Sequence, residues 1–550
     1  MEHDICSSHD VISHMKSGSD LLLYHGNYQL SVSLPDHVMS FRFLSWDIES
    51  SRTTQLAILT GVLFIVFAVY RQGCIYRRRR ALKMLHDCKD ASIYPTYEPF
   101  AGMDFSLTMK RVFDDGSFFW FFKNNFQTYG STFFVNSLWQ PTMFTNDPEN
   151  VKAILTTKVQ DWPVAEARSA LSELLGQGLI NVDGQAWNHT RSALRPIFVK
   201  DNMSDIDKLE EHMQALLKNI ATDGSTIDLK PLFVNYTLDT STDLLFGEST
   251  NSLSREMDPD QDRFAKSLHL ALEEAFLVGN AGPAAVLFRT KAGSKAREVC
   301  KKHVSKYVHA ALAQVEFEKR GGDGPAKYNF LVEFARTTND ETVLRDNALT
   351  MLFAGQDTTA CALANLWFQL ARHPKVYAKL AAEVAALNGQ IPSYEWLKNN
   401  TYLRWCVYES MRTIPVTPFK PPRQSNKDTI LPRGGGKDGK SPLFVPKNTR
   451  VVESLWHTST RKDLWGGDAE EFRPERWDGR LHGWNFTPFG GGPRICIGQQ
   501  FALVETYFVT VRLMQKFSRC ENRDPVHVYV PDVTGPMAPK NGVKVALFER

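Results

Sequence analysis

The stretch Phe489-Gly490-Gly491-Gly492-Pro493-Arg494-Ile495-Cys496-Ile497-Gly498 sets one cysteine where its sulfur can do chemistry. A thiolate that ligates a metal needs a tight turn around it and donors aimed at the sulfur. Glycines let backbone N–H groups come close, and such bonds tune a thiolate ligand. Arg494 is placed to reach an anion. Residues 499–517 read as a helix, so Cys496 would stand at a positive helix end, which helps to hold it ionised. The competing reading is a buried structural cysteine in a Gly-rich turn. The pattern F-x-x-G-x-R-x-C-x-G favours the ligand.

A second chemical stretch is Ala354-Gly355-Gln356-Asp357-Thr358-Thr359, inside a helical pattern over 340–372. Glycine in a helix interior costs about 1 kcal/mol relative to alanine. That is tolerated where a flat group presses on the helix or a ligand needs room. An acid followed by a threonine can pass protons through ordered water. Thr358 could instead bond the carbonyl four residues back and open a groove in the helix.

Glu409 and Arg412 are an acid and a base at i and i+3. Tyr402, Leu403, Trp405 and Val407 make that helix apolar, so the pair is buried and needs a further partner, which Arg476 can supply. Trp187 and Arg191 share a helix face, and arginine forks suit carboxylates.

These elements together resemble the cytochrome P450 (haem-thiolate monooxygenase) family over roughly residues 90–550. The resemblance implies a mostly α fold with a minor β part. It implies haem b as cofactor, with Cys496 as axial ligand of the iron. Phe489, Trp187, Arg191, Arg423 and Arg494 would bind the cofactor, the arginines at its propionates. Thr358 and Asp357 would be catalytic, managing protons on the distal side. Glu409, Arg412 and Arg476 would form a structural triad. The reaction implied is insertion of one atom of O2 into a C–H bond of a lipophilic substrate. Electrons would come from NADPH through a separate reductase, with cytochrome b5 a further partner, because no flavin or reductase region follows residue 545.

Leu174–Phe198, Leu431–Pro442 and Gly492–Leu503 look like the fungal microsomal alkane and fatty-acid hydroxylases, which implies terminal or near-terminal hydroxylation of an alkane or fatty acid. Gln356, Gly490, Gly491 and residues 411–415 depart from that branch. Related fungal enzymes with similar motifs oxidise secondary metabolites, and some haem-thiolate proteins are isomerases or dehydratases. The latter typically lack the Asp357-Thr358 pair. Substrate-facing positions implied by the resemblance are 162–175, Phe353, Ala354, 416–419 and 535–537.

The 550 residues carry 64 Lys+Arg and 61 Asp+Glu, a net charge of +3, which gives no sign of a nucleic-acid partner. Eight cysteines without a C-x-x-C pair point to a reducing compartment. Residues 1–52 read as a polar, irregular tail, lumenal or a mis-assigned start. The apolar run 56–70, extended to 76, is followed by Arg77-Arg78-Arg79-Arg80. A buried core helix would fit the run alone. The arginine cluster on one flank and the acidic excess on the other favour a single-pass anchor with the later part of the chain cytoplasmic. The expected organisation is a tail over 1–52, an anchor and basic stop over 53–80, a linker over 81–104 and a catalytic domain over 105–550, at the endoplasmic reticulum membrane.

Strands are expected at 131–135 and 141–145. Helices are expected at 147–157, 184–199, 205–222, 229–247, 260–279, 292–319, 340–372, 374–387 and 394–413. Residues 424–453 read as a hairpin with a Gly/Lys-rich tip. That tip, Gly434 to Ser441, matches the phosphate-loop pattern G-x-x-x-x-G-K-S. The match is rejected because Pro432 and Arg433 precede it where a buried strand is needed, and no helix can begin after it with its N–H groups facing a phosphate.

Overall fold

A computed structural model describes residues 20–25, 28–33, 40–45, 52–98, 101–198, 206–254, 258–280, 285–286, 288–324, 329–479, 483–533 and 535–550. The chain divides into two units, residues 1–86 and 87–550.

In the first unit, β1 (Asp20–His25), β2 (Tyr28–Ser33) and β3 (Ser40–Ser45) form an antiparallel sheet. This corrects the reading of residues 1–52 as irregular. Leu21-Leu22-Leu23-Tyr24, Leu30-Ser31-Val32 and Phe41-Arg42-Phe43 carry the aromatic and apolar residues that suit a pleated surface. The segment expected to be an anchor lies in α1 (Arg52–Leu85), a helix of 34 residues on which Leu63, Phe64, Phe67 and Tyr70 are exposed. Among the described residues, no helix is long and apolar enough to cross a membrane.

The second unit is mostly helical with a minor β part, as the sequence implies. Its helices of eight or more described residues are α2 (Met103–Asp114), α3 (Phe118–Tyr129), α4 (Gly184–Leu194), α5 (Ile206–Lys218), α6 (Leu229–Phe246), α7 (Pro259–Asn280), α8 (Lys291–Lys319), α9 (Glu341–Arg372), α10 (Pro374–Ala385), α11 (Thr401–Thr413) and α12 (Gln499–Lys516). The expected helix 394–413 is broken, because Asn400 turns extended and its side chain accepts from Leu403 N to cap α11. The expected helix 147–157 is α-helical only over Pro148–Lys152 and continues as a π-turn over Ala153–Thr157.

Five strands make the main sheet, in the order β4 (Ser92–Ile93), β5 (Thr132–Ser137), β6 (Gln140–Thr145), β11 (Arg450–Glu453), β8 (Arg423–Gln424). The expected hairpin over 424–453 is narrower than its sequence suggested. Only β9 (Thr429–Gly435) and β10 (Ser441–Val445) pair in it, while the flanks join the main sheet. The reversal that separates β10 from β11 places Asn448 at φ +66°, a conformation Asn tolerates better than most residues. The phosphate-loop match forms the hairpin tip. There Gly439 N donates to Gly436 O, and Ser441 opens a strand, so no helix N-terminus follows.

The long helix α9 is the spine of the core, packed along α6 and against α12. Inside that core, Glu505 of α12 is fully buried. One of its oxygens accepts from Thr240 of α6 at 2.5 Å, and the other has no partner. Burial pushes its carboxyl up to about 8, with the Thr240 bond a smaller opposing effect. The unfolded chain therefore releases this proton near its ordinary 4.5 while the folded chain still holds it. Glu505 should cost stability as pH rises from about 4.5 to about 8, by up to about 1.4 kcal/mol per pH unit. Glu505→Gln should flatten the decline of Tm across that window relative to the native chain. Equal slopes would refute a buried neutral Glu505.

Candidate functional site

The loop from Phe489 to Gly498 is closed by a backbone bond in which Cys496 N donates to Phe489 O at 3.0 Å. Gly492 holds it against the rest of the fold. Its φ is +65°, and a Cβ there would lie 2.0 Å from Leu155 O, so no other residue fits. The π-turn over Ala153–Thr157 presents that Leu155 carbonyl. The Gly498 N–H, just before α12, reaches the Cys496 thiol.

Cys496 is solvent-accessible, yet its thiol lies in a shielded setting; the residue faces an opening while protein surrounds its sulfur. Burial pushes the thiol above its ordinary range, outweighing the Gly498 N–H, Arg191 and Lys420, which pull it down. The N–H at the helix end thus pulls in the expected direction, and burial outweighs it.

On α9, Ala354 is exposed although the helix is otherwise a core element, and Asp357 and Thr358 are partly exposed beside it. Thr358 Oγ1 donates to Ala354 O at 2.6 Å, so the hydroxyl takes the back-bonded option, which leaves its oxygen free to accept. Burial raises the Asp357 carboxyl, and His269 of α7 opposes that rise. Gly355 faces elsewhere. A Cβ there would stand 3.3 Å from Ser241 Oγ of α6, so this glycine serves the approach of two helices.

A cationic cluster adjoins the cysteine loop. Trp187 of α4 lies between two guanidinium groups, with Arg191 at 5.6 Å and Arg494 at 4.6 Å from its ring. Arg191 donates to Ile495 O at 2.8 Å. Arg494 donates to Asp183 Oδ1 at 2.6 Å and to Val182 O at 2.8 Å. Arg423, buried at the start of β8, donates to Trp162 O at 3.0 Å. Phe489 packs at the edge of the main core.

The fold adds residues that carried no signal of their own in the sequence: Arg168 within 162–175, Lys420 next to 416–419, and Glu453 at the end of β11. Arg168 is brought down to about 9, first by burial and then by the repulsion of Arg423 and Arg494. Lys420 is lowered by burial to about 8; it donates to Thr487 O and is felt by Cys496. Glu453 is raised by burial to about 7 in spite of Arg423, Lys420 and Arg168. Positive charge outweighs negative here. The buried Arg168 Nε and Trp162 Nε1 have no partner at all. An unmet buried donor is costly, and this set calls for an anionic group.

Below, Glu409, Arg412 and Arg476 form one fully buried ion cluster. Arg412 binds Glu409 by two bonds of 2.8 Å, and Arg476 Nε donates to Glu409 Oε1 at 3.1 Å.

Comparison with known proteins then decides the family. The cytochrome P450 family model matches residues 99–538. The chain belongs to the cytochrome P450 family. It is 38% identical over 514 residues to cytochrome P450 monooxygenase himC of Aspergillus japonicus, covering 91% of this chain and 92% of that one. It is 37% identical to cytochrome P450 monooxygenase fsdH of Fusarium heterosporum, covering 90% and 89%. It is 38% identical to cytochrome P450 52A3-B of Candida maltosa, covering 70% and 77%. The chain is therefore a P450 monooxygenase, with haem as its cofactor and NADPH as the source of electrons through a reductase.

The residues present fit haem. Among the described residues no three His, Cys, Asp or Glu side chains converge as a metal site. Cys496 thus offers a single ligand, which suits a metal whose other ligands come from a macrocycle. The surplus of cations and the unpartnered Trp162 and Arg168 donors suit the two carboxylates of such a group.

Proposed function

We propose that this P450 hydroxylates an aliphatic lipid, an alkane or fatty acid, at or near its terminal carbon. The observation that supports the chemical part is the backbone-closed Cys496 loop; on α9, Ala354 is exposed and Asp357 and Thr358 are partly exposed, as a distal site would need. In this reading Cys496 would ligate the haem iron. Trp187, Arg191, Arg423 and Arg494, joined by Arg168 and Trp162, would hold the propionates, with Phe489 at the start of the cysteine loop. Glu409, Arg412 and Arg476 secure the fold and take no part in the chemistry. Haem so held supplies the activation of O2: one atom enters the substrate C–H bond, and the other leaves as water with two electrons from NADPH and two protons.

The protons are the task of this chain's own side chains. Thr358 spends its hydroxyl proton on Ala354 O, so its oxygen accepts from a water in the opening. Asp357, whose proton is held more tightly by burial, feeds that water. The apolar Phe353, Val416 and Phe419 exclude bulk water and suit an alkyl chain.

The likeness to the 52A3-B protein of Candida maltosa and the stretches 174–198, 431–442 and 492–503 support the aliphatic substrate. A second reading, oxidation of a bulkier lipophilic metabolite, is favoured by one observation. The likeness to the Aspergillus and Fusarium proteins runs over nine-tenths of the chain, further than that to 52A3-B. The anchor role of α1 belongs to this proposal too. Its run 56–70 leaves Leu63, Phe64 and Phe67 exposed, and Arg77–Arg80 on one flank would keep the catalytic unit cytoplasmic, at the endoplasmic reticulum. There it would meet its reductase and cytochrome b5.

One preparation tests these points together. The full chain co-expressed with a P450 reductase should pellet with microsomes and convert dodecanoate or hexadecane, with NADPH, to terminally hydroxylated product. Thr358→Ala should lower product per NADPH several-fold while NADPH consumption continues and peroxide accumulates. Unchanged coupling would remove Thr358 from proton handling, and no aliphatic product at all would favour the second reading.

A further inference from the structure

Arg450, the first residue of β11, lies beside the main sheet's cation set, and no carboxylate among the described residues acts on it. Arg423, Arg494 and Arg168 are each drawn to Asp183, and Arg423 and Arg168 also to Glu453. For Arg450, burial alone acts, lowering its pKa with no carboxylate opposing. Its Nη2 makes a long bond of 3.3 Å to Gly279 O, and its buried Nε has no partner. Arg450 therefore sits as a desolvated guanidinium with its fork largely unused.

Its surroundings say what the fork could meet. Successive strand residues point to opposite faces. Arg450 and Val452 share one face of β11, while Val451 and Glu453 share the other. Val452 packs in an aromatic cluster with Phe122, Phe144 and Phe419, the last from the stretch 416–419 placed against substrate above. Gln424 stands directly opposite Arg450 in the ladder and is also buried. Gly279 lies at the end of α7, where a Cβ would stand 3.6 Å from Ala170, two residues from Arg168. The unused cation is thus two residues, about 6.6 Å, along an apolar strand face from the aromatic cluster. It is closed in by α7 and the 166–171 turn. A chain with an apolar body and an anionic end matches that order of surfaces.

We propose that Arg450 is the specificity anchor for the head group of an amphipathic substrate, a long-chain carboxylate whose alkyl end runs past Val452 and Phe419 toward the haem. The proposal rests on the aliphatic reading above and sharpens it from alkane or fatty acid to fatty acid. A carboxylate would satisfy Nε and a terminal nitrogen together in the paired geometry that guanidinium favours. A purely structural alternative exists in the Gly279 bond, which ties β11 to the negative end of α7, and the test separates the two.

The experiment is a spectral titration of the full-length holoenzyme with dodecanoate, methyl dodecanoate and dodecane, in the native chain, Arg450→Gln and Arg450→Lys. The native chain should bind dodecanoate more tightly than its ester. Arg450→Gln should raise Kd for dodecanoate roughly 10- to 100-fold, the range expected for a hydrogen bond to a charged group, and leave Kd for the ester and the alkane within about twofold. Arg450→Lys should recover part of the loss, since it keeps the charge and loses the fork. Equal weakening toward acid and ester would assign Arg450 to the α7 contact and overturn the anchor. No change for either ligand would overturn it as well. A native chain that binds ester and alkane but not the acid would refute the anchor while leaving the aliphatic reading intact. Binding of none of the three would refute that reading and the anchor with it.

Discussion

Cys496→Ala should yield a folded protein that has lost its thiolate-ligated haem. The reduced, carbon monoxide-treated variant should lack the red-shifted Soret band of thiolate ligation, and product should fall to background. The expectation of a retained fold comes from how the loop is held. Its closing bond runs from Cys496 N to Phe489 O, and its seat is the approach of Gly492 to Leu155 O. Both are main-chain contacts that survive loss of the sulfur. The expectation of a lost spectrum comes from the sulfur itself, since that band reports thiolate ligation and alanine carries no donor atom. Far-UV circular dichroism should match the native chain. A variant that kept the thiolate spectrum would overturn the assignment of Cys496.

Arg412→Ala should be the most damaging single change away from the cofactor. Arg412 is completely buried. Besides its two bonds to Glu409, it donates to Ser459 O at 2.7 Å, Ala469 O at 2.5 Å and Glu471 O at 3.0 Å. Glu409 accepts in addition from Arg473 N at 3.0 Å and Trp477 Nε1 at 3.0 Å. The cluster therefore joins α11 to the 459–477 segment, which leads into the cysteine loop. Removing one partner leaves a buried charge uncompensated, at a cost of about 3–5 kcal/mol. Native domains hold only about 5–15 kcal/mol in all. The urea midpoint, followed by circular dichroism and by the Soret band, should drop sharply, or the protein should fail to accumulate with haem. Arg412→Lys should not rescue it, because one ammonium cannot reproduce the fork and three carbonyl bonds. A loss under about 1 kcal/mol would show that the cluster contributes little to stability.

The two halves of the site differed in how readable they were. Phe489 to Gly498 could be read because its geometry is local: a few residues close a backbone loop, and positive-φ glycines mark where. Glu409 and Arg412 were readable for a similar reason, being one helical turn apart on an apolar helix. The helix ends were readable to within a few residues where caps such as Asp340 and Ser393 start them. They were misjudged at Asn400 and around residue 153, where a cap inside an apolar run and a π-turn leave the hydrophobic pattern nearly unchanged. The N-terminal strands were missed because their apolar residues come in stretches only six positions long inside an otherwise polar segment.

The sequence by itself determined the family, and it singled out Cys496, the Asp357–Thr358 pair and the Glu409–Arg412–Arg476 cluster that the structure forms. The cysteine loop, the Asp357–Thr358 pair and Glu409 with Arg412 are carried by residue types at short, fixed spacing, which survives any arrangement of the remaining chain; Arg476, 67 positions from Glu409, is brought to them by the fold. Tertiary structure alone decided the charge environment. It brought Arg168, Lys420 and Glu453, separated by up to 285 positions in the chain, into one cluster. It turned Gly355 toward Ser241, raised the Cys496 thiol where the helix end alone would lower it, and left Arg450 without an acid. Desolvation and long-range Coulomb interaction set these outcomes. Both depend on which distant segments come to lie together, which a linear pattern does not encode.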